Sequence, residues 1–340
     1  MLIIVVVVVV IYCYNHYETA AVLKENNIKK NDWAYYNIGQ TIEGKKGMKA
    51  VDINIVPLWK TEIRIKPIIV SVVDSGVYMD GQLTKGKIWN NKKEIKDGLD
   101  NDENFLVDDI YGWDFCNDNG SVYDDYAHDY HGTYIANEIL KINPNARIQI
   151  CKFMDGSSGK SINAIKAIKY AIQNKSRIIN CSWMFYENSE ELKKIIHKNK
   201  NVLFICAAGN SNVDLDETPV YPACYYAENV ISVGAINSSG SIYSYSGYGQ
   251  KNVDLMAPGE SINGTLPEDD KATIDGTSIA TAYVTGCASL LLGIDATLSA
   301  QEIKNIIIKS ATEKPNLEKM CVSSGYLNIY NAYRKYRKAE

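Results

Sequence analysis

Three short segments, in chain order, supply a carboxylate, an imidazole and a hydroxyl: Val72-Val73-Asp74-Ser75-Gly76, His131-Gly132-Thr133 and Gly276-Thr277-Ser278-Ile279-Ala280. Each sets one reactive side chain among small residues that let the backbone turn tightly around it. Together they are the minimum set for making a serine nucleophilic near neutral pH. An aspartate holds an imidazole in one tautomer, and the imidazole takes the serine proton. A fourth segment, Ala207-Ala208-Gly209-Asn210, offers a side-chain amide that can donate to a developing oxyanion. Taken singly, Ser278 reads equally well as a helix N-cap, and Asp74 as a turn aspartate closing a strand. It is the four segments together that favour chemistry.

Such groups converge only if the elements between them alternate in a regular way. Ile68–Asp74 is a nearly continuous apolar run, as expected of a strand buried on both faces. A helix is expected over Thr133–Ile142, starting beside His131, and a strand over Arg147–Phe153. Ile162, Ile165, Ile168 and Ile172 mark one face of the next helix. Further strands are expected at Arg177–Trp183, Asn201–Ala207 and Asn229–Ala235. Helices are expected at Glu190–Asn199, at Ser278–Gly293 (apolar enough to be buried) and outside it at Ala300–Ala311. This alternation implies an α/β fold, with a mostly parallel central sheet, helices on both faces and a site beyond the carboxyl ends of the strands. Asp74 and Asn210 both fall where a strand ends.

The chain has 340 residues, 46% of them hydrophobic, enough for one large domain with a substantial core. A net charge of −4 gives no reason to expect a nucleic-acid partner. The lysine patches (Lys92-Lys93, Lys193-Lys194 and the tail from Arg334 to Lys338) read as solvated faces. No Gly-x-Gly-x-x-Gly and no P-loop is present, which argues against a nucleotide-binding enzyme. Of the four histidines, His16 and His197 read as solvated side chains. His128 competes with His131 for the role of base, but only His131 is followed by Gly-Thr and an apolar helix. The eight cysteines show no zinc-site spacing and no disulfide framework. Cys151, Cys181, Cys206 and Cys287 fall in expected core elements, where free cysteine acts as a small apolar residue.

The order Asp, His, Ser is the order of subtilisin, and from about Asn31 to about Tyr333 the chain resembles the subtilisin-like serine proteases, the subtilases. The resemblance implies a three-layer architecture and a serine endopeptidase working through an acyl-enzyme. Asp74, His131 and Ser278 would form its triad, Asn210 would be its oxyanion donor, and its substrate would be a protein or peptide. Asn180-Cys181-Ser182-Trp183-Met184 matches the strand that pairs with substrate in the family, and Ser158-Gly159-Lys160-Ser161 would be the second pairing edge. The chain also departs from the pattern. Tyr134 and Tyr283 stand where the family usually has histidine, Ala282 where it has proline, and Met184 where it has a glycine that walls the specificity pocket. These departures keep a catalytically silent peptide-binding protein on the same fold as the alternative.

Between Asp74 and His131 lies an acidic insert, Asp97 to Asp109. Oxygen-bearing side chains at Asp100, Asp102 and Asn104, followed by Asp108 and Asp109, suit a hard cation that takes six to eight oxygen ligands. The insert resembles the calcium loop of some subtilases, which would make calcium a structural cofactor; a solvated Asp/Asn turn is the alternative. Leu2 to Ile11 is apolar throughout, shorter than the roughly twenty residues of a transmembrane helix and long enough for a signal-peptide core. The chain therefore divides into an anchor- or signal-like segment with a linker over residues 1–30 and a peptidase domain over 31–340. No full pro-domain is expected, the enzyme is expected to be monomeric, and its location extracytoplasmic or membrane-tethered, with a cytoplasmic enzyme as the alternative.

Overall fold

The computed structural model describes residues 17–339. The apolar segment 2–11 and His16 lie outside the described residues. Residues 17–25 are helical, an element not expected from the sequence, and Lys60 ties them to the domain through Glu18 at 3.1 Å and Thr19 at 2.9 Å.

The centre of the fold is a nine-stranded sheet. Its strands are β1 (Ile68–Asp74), β2 (Gly112–Asp114), β3 (Ala146–Lys152), β4 (Ile178–Cys181), β5 (Leu203–Ala207), β6 (Val230–Ile236), β7 (Leu255–Pro258), β8 (Thr312–Glu313) and β9 (Gly325–Tyr326). They lie in the order β8-β9-β7-β6-β5-β4-β1-β3-β2, all parallel except the edge pair β8–β9. The helices that matter here are α1 (Tyr126–Ile142), α2 (Ser161–Gln173), α3 (Glu190–Lys198), α4 (Thr277–Ile294), α5 (Ala300–Ile308) and α6 (Ile329–Ala339).

From β1 the chain runs to the edge strand β2, returns through α1 to β3, and continues across β1 through α2 to β4. Helices α1 and α2 cover opposite faces of the sheet. Accordingly α1 packs with α4 while α2 packs with α3, giving three layers. Strand β1 connects towards the β2 edge and its neighbour β4 towards β5, so the loops at their carboxyl ends diverge and leave a crevice, a topological switch point. Asp74 is the last residue of β1.

Helix α4 is the core of the core: 17 of its 18 residues are buried, and it lies against β1, β4, β5, β6 and β7. Among the described residues it is the single helix long and apolar enough to cross a membrane, and it is enclosed by the fold instead.

The sequence expectations need three corrections. Helix α1 starts at Tyr126, not at Thr133, because the Asp125 side chain accepts the His128 N–H at 3.0 Å and caps a first turn that reads as polar loop. His131 therefore lies inside the helix rather than ahead of it. Gly132 is what allows α1 to pass so close to β1, since a Cβ there would collide with the Gly76 carbonyl. Ile162 does not share the buried stripe of α2; it is 50% exposed, while Ile165 and Ile168 are buried. Finally, β2, β7, β9, α6 and the antiparallel hairpin Ile262–Thr265/Lys271–Ile274 were not expected.

Candidate active site

The carboxyl end of β1 and the second turn of α1 bring two of the four candidates together. The Asp74 side chain is buried, and its Oδ1 accepts from His131 Nδ1 at 2.8 Å and from the Ser75 N–H at 2.7 Å. That hydrogen bond leaves Nε2 of His131 free to accept a proton. Burial works against a charged ring, but the Asp74 charge and its hydrogen bond outweigh it and raise the His131 pKa above the ordinary 6.5. His128 does not reach this site. It is exposed, and its Nδ1 lies 2.7–2.8 Å from the two Asp125 oxygens.

Ser278 is the second residue of α4, so its own N–H is one of the donors a helix start leaves unpaired. Ahead of it, Gly276 adopts φ +142°, and a Cβ there would come within 3.1 Å of the Asn210 amide nitrogen. The Ser278 hydroxyl is nearly buried and donates to the Ser182 carbonyl at 2.9 Å, while the Ser182 hydroxyl donates to the Ser278 carbonyl at 2.9 Å. To lose its proton to His131 the Ser278 hydroxyl must rotate away from Ser182. Catalytic hydrogen bonds are commonly unformed before substrate binds.

Asn210 follows the carboxyl end of β5. Its Oδ1 accepts from the Thr277 N–H at 2.9 Å and from the Thr277 hydroxyl at 3.1 Å. With the oxygen so engaged, the Nδ2 group is the donor left over, close to the Ser278 N–H. Thr277 therefore orients the candidate oxyanion donor, a role the sequence reading missed although Thr277 is adjacent to the candidate nucleophile.

A cleft of about 420 Å³ runs alongside His131. The candidate substrate residues Ser158, Gly159, Ser182, Trp183 and Met184 all line it, joined by Tyr130, Phe153 and Phe185, which the sequence reading did not single out. Trp183 is fixed by donating to the Val73 carbonyl at 2.8 Å and by its edge-on contact with Phe153. The departing positions are packing residues. Tyr134 donates to the Ile262 carbonyl at 2.9 Å, Tyr283 lies edge-on to Tyr35, and Ala282 is fully buried.

Behind the site is an ion network with no counterpart in the sequence reading. Lys152, directly opposite Asp74 in the β1–β3 register, is fully buried. Its Nζ meets Asp129 Oδ1 at 2.6 Å and Asp124 Oδ2 at 2.7 Å. Asp129, also fully buried, stands two residues before His131 and accepts the Asp124 backbone N–H. Burial raises the Asp129 pKa, partly offset by the Lys152 hydrogen bond; burial of Lys152 is outweighed by its two carboxylates, so its pKa is raised. The signal in the sequence was a lysine ending an apolar strand, with a run of aspartates ahead of His131.

In the acidic insert, the carboxylates of Glu94, Asp102 and Asp109 lie within 4.8 Å of one another. Asp102 Oδ1 is buried without a hydrogen-bond partner, and burial is the largest cause of the raised Asp109 pKa, with the Asp102 charge adding to it. A cation-sized gap between carboxylate oxygens, one of them unpartnered, fits a hard divalent ion. Of the candidate ligands, only Asp102 and Asp109 belong to this cluster. Asp100 accepts the N–H groups of Asn104 and Phe105, Asp108 those of Asp97 and Gly98, and Asn104 that of Leu106. Glu94, missed because it precedes the insert, accepts three loop N–H groups from Asn101, Asp102 and Asp108.

Known proteins are similar to this chain over most of its length. Subtilisin-like protease 1 of Plasmodium berghei (strain Anka) is 29% identical over 294 residues, which is 78% of this chain and 49% of that protein. Its namesake in Plasmodium falciparum (isolate 3D7) is 30% identical over 296 residues, 77% of this chain and 43% of that protein. The chain thus spans about half the length of these curated relatives. Among solved structures, a cold-adapted subtilisin-like serine proteinase aligns with a TM-score of 0.65 at 25% identity, covering 79% of this chain and 91% of that one. The sequence profile of the subtilase family matches residues 66–326, from just ahead of β1 to the end of β9, and on that match the chain belongs to the subtilase family.

Proposed function

We propose that the domain is a serine endopeptidase acting on proteins or peptides. The observation that supports this most directly is the buried Asp74–His131 hydrogen bond at 2.8 Å; the start of α4 adds Ser278 and an amide whose oxygen is held by Thr277. Ser278 Oγ bonds to the carbonyl carbon of the scissile peptide, and its proton passes to His131 Nε2. Asp74 keeps the ring in the tautomer that accepts there and stabilises the cation that forms. The carbonyl oxygen, now an anion, takes hydrogen bonds from Asn210 Nδ2 and the Ser278 N–H. Collapse breaks the C–N bond, His131 gives its proton to the departing amine, and the acyl-enzyme is hydrolysed by water along the same route. Substrate backbone would lie between the edges at Ser182–Met184 and Ser158–Gly159.

Calcium would be held by Glu94, Asp102 and Asp109. Bound there it would supply structural cross-linking and no part of the chemistry, since none of the four reacting groups lies in the insert. The domain begins near residue 31, and an extracytoplasmic or tethered location is part of this reading.

A fluorophosphonate label tests the function, because only an activated serine reacts. The intact protein should be labelled at Ser278, and Ser278→Ala should lose the label and about a million-fold in turnover while still folding. A wild-type protein that folds but neither labels nor cleaves peptides would favour the silent peptide-binding alternative.

A further inference from the structure

The structure leaves little room beside the scissile carbonyl. Resting on the peptidase reading, we infer that this enzyme cleaves only after small residues, glycine or alanine, and that Met184 imposes the limit.

The position of the acyl-side residue follows from the site. Its carbonyl carbon must reach Ser278 Oγ, and its oxygen must meet Asn210 Nδ2 and the Ser278 N–H. Its N–H then faces the Ser182 carbonyl, which lies 2.9 Å from Ser278 Oγ. Held at both ends, that residue directs its side chain into the slot between the Ser182–Met184 segment and the Ala208–Asn210 turn.

Met184 fills this slot. A Cβ placed on Gly209 would lie 3.5 Å from Met184 Cγ and 3.7 Å from Cε, ordinary van der Waals contact, so the space left between the two walls there takes one methyl-sized atom. The far end is bridged by the Tyr186 and Ser211 hydroxyls at 2.8 Å. The backbone of neither wall is free to retreat. Phe185 and Tyr221 exchange backbone hydrogen bonds at 2.7 and 2.8 Å. Gly209 donates to Thr277 Oγ1 at 3.2 Å and accepts from the Gly247 N–H at 2.8 Å. A methyl group fits beside Met184, whereas a leucine or phenylalanine side chain overlaps it. Overpacking a filled site, or misfitting it by a methylene, typically changes selectivity about 10- to 200-fold.

The test uses fluorogenic peptides identical but for glycine, alanine, leucine or phenylalanine on the acyl side of the cleaved bond. The wild-type protein should cleave the alanine peptide at least about 100-fold better, in kcat/KM, than the leucine or phenylalanine peptide. Met184→Gly should bring these ratios below about ten, and Met184→Ala should fall between. The second variant keeps a side chain and serves if the glycine variant does not fold. A wild-type enzyme that takes leucine as readily as alanine overturns the inference, as do ratios unchanged in the Met184 variants. A wild-type protein that is not labelled by fluorophosphonate overturns the peptidase reading itself, and the inference with it; labelling together with a bulky preference overturns the inference alone.

Discussion

Removing the buried lysine behind the active site should cost more than removing the buried aspartate it pairs with. In Lys152→Met the aliphatic stem is kept and the ammonium is lost. Asp129, with no exposed surface, then faces Asp124, 37% exposed, with no cation between them. Asp129→Asn instead leaves Lys152 its 2.7 Å partner in Asp124. Breaking a buried ion pair at one end typically costs about 3–5 kcal/mol, because the partner stays buried and uncompensated. We expect Lys152→Met near the top of that range and Asp129→Asn about 2 kcal/mol or more below it. The double variant should be more stable than the sum of the two predicts, since both buried charges are gone. For a domain of this size a loss of about 4 kcal/mol lowers Tm by roughly 6 °C. The assay is a double-mutant cycle in Tm and denaturant midpoint, with the rate of fluorophosphonate labelling measured in parallel. That rate should fall in Lys152→Met even well below its Tm, because Asp129 anchors the turn that carries His131. If the aspartate variant proves the less stable, or if Lys152→Met melts within a degree of wild type and labels at the same rate, the network is not what positions α1.

Two further outcomes follow from charge. The neutral His131 ring accepts the serine proton, so activity should rise with pH through a pKa lying above 6.5. Asp74→Asn removes both influences that raise it and leaves burial, which lowers it, so the acid limb should move to lower pH while turnover falls by about 10⁴; a limb that stays in place would dissociate Asp74 from the titration. In the acidic insert, calcium added to chelator-treated protein should raise Tm, by an amount equivalent to about 2.7 kcal/mol at a hundredfold excess over Kd. Asp102→Asn should abolish that response. Superimposable melting curves with and without calcium would leave Glu94, Asp102 and Asp109 as a metal-free turn.

The reacting groups were legible because each sits in a local pattern, a polar residue among small ones at the end of an apolar run, that needs no long-range information. The strands around them were legible for the same reason: β1, β5 and β6 are apolar runs of five to seven residues. What escaped depended on distant partners. The start of α1 looks like loop because Asp125, His128 and Asp129 are polar, and their helical turn is held by a cap and by Lys152 from another strand. Strands β2 and β9 have three and two residues, too short for a periodicity to register. Glu94 joins Asp102 and Asp109 only once the insert folds back on it. That Met184 would meet Gly209 could not be read from either segment alone.

The burial of α4 also decides how the candidate site can be lost. A side chain on a surface loop can be withdrawn from its site by a local opening, at a cost well below that of unfolding the domain. Ser278 has no such route, because the helix that begins beside it lies against five strands and cannot leave without opening the core. The amide protons of α4 beyond its first turn should exchange with solvent only through global unfolding, so their exchange rate reads out the stability of the whole domain. Asn210, by contrast, is exposed on a turn, and the insert carrying Glu94, Asp102 and Asp109 is a long excursion between strands. Substitutions can therefore reshape those peripheral loops, while the position of the Ser278 hydroxyl is inherited from the packing of the core.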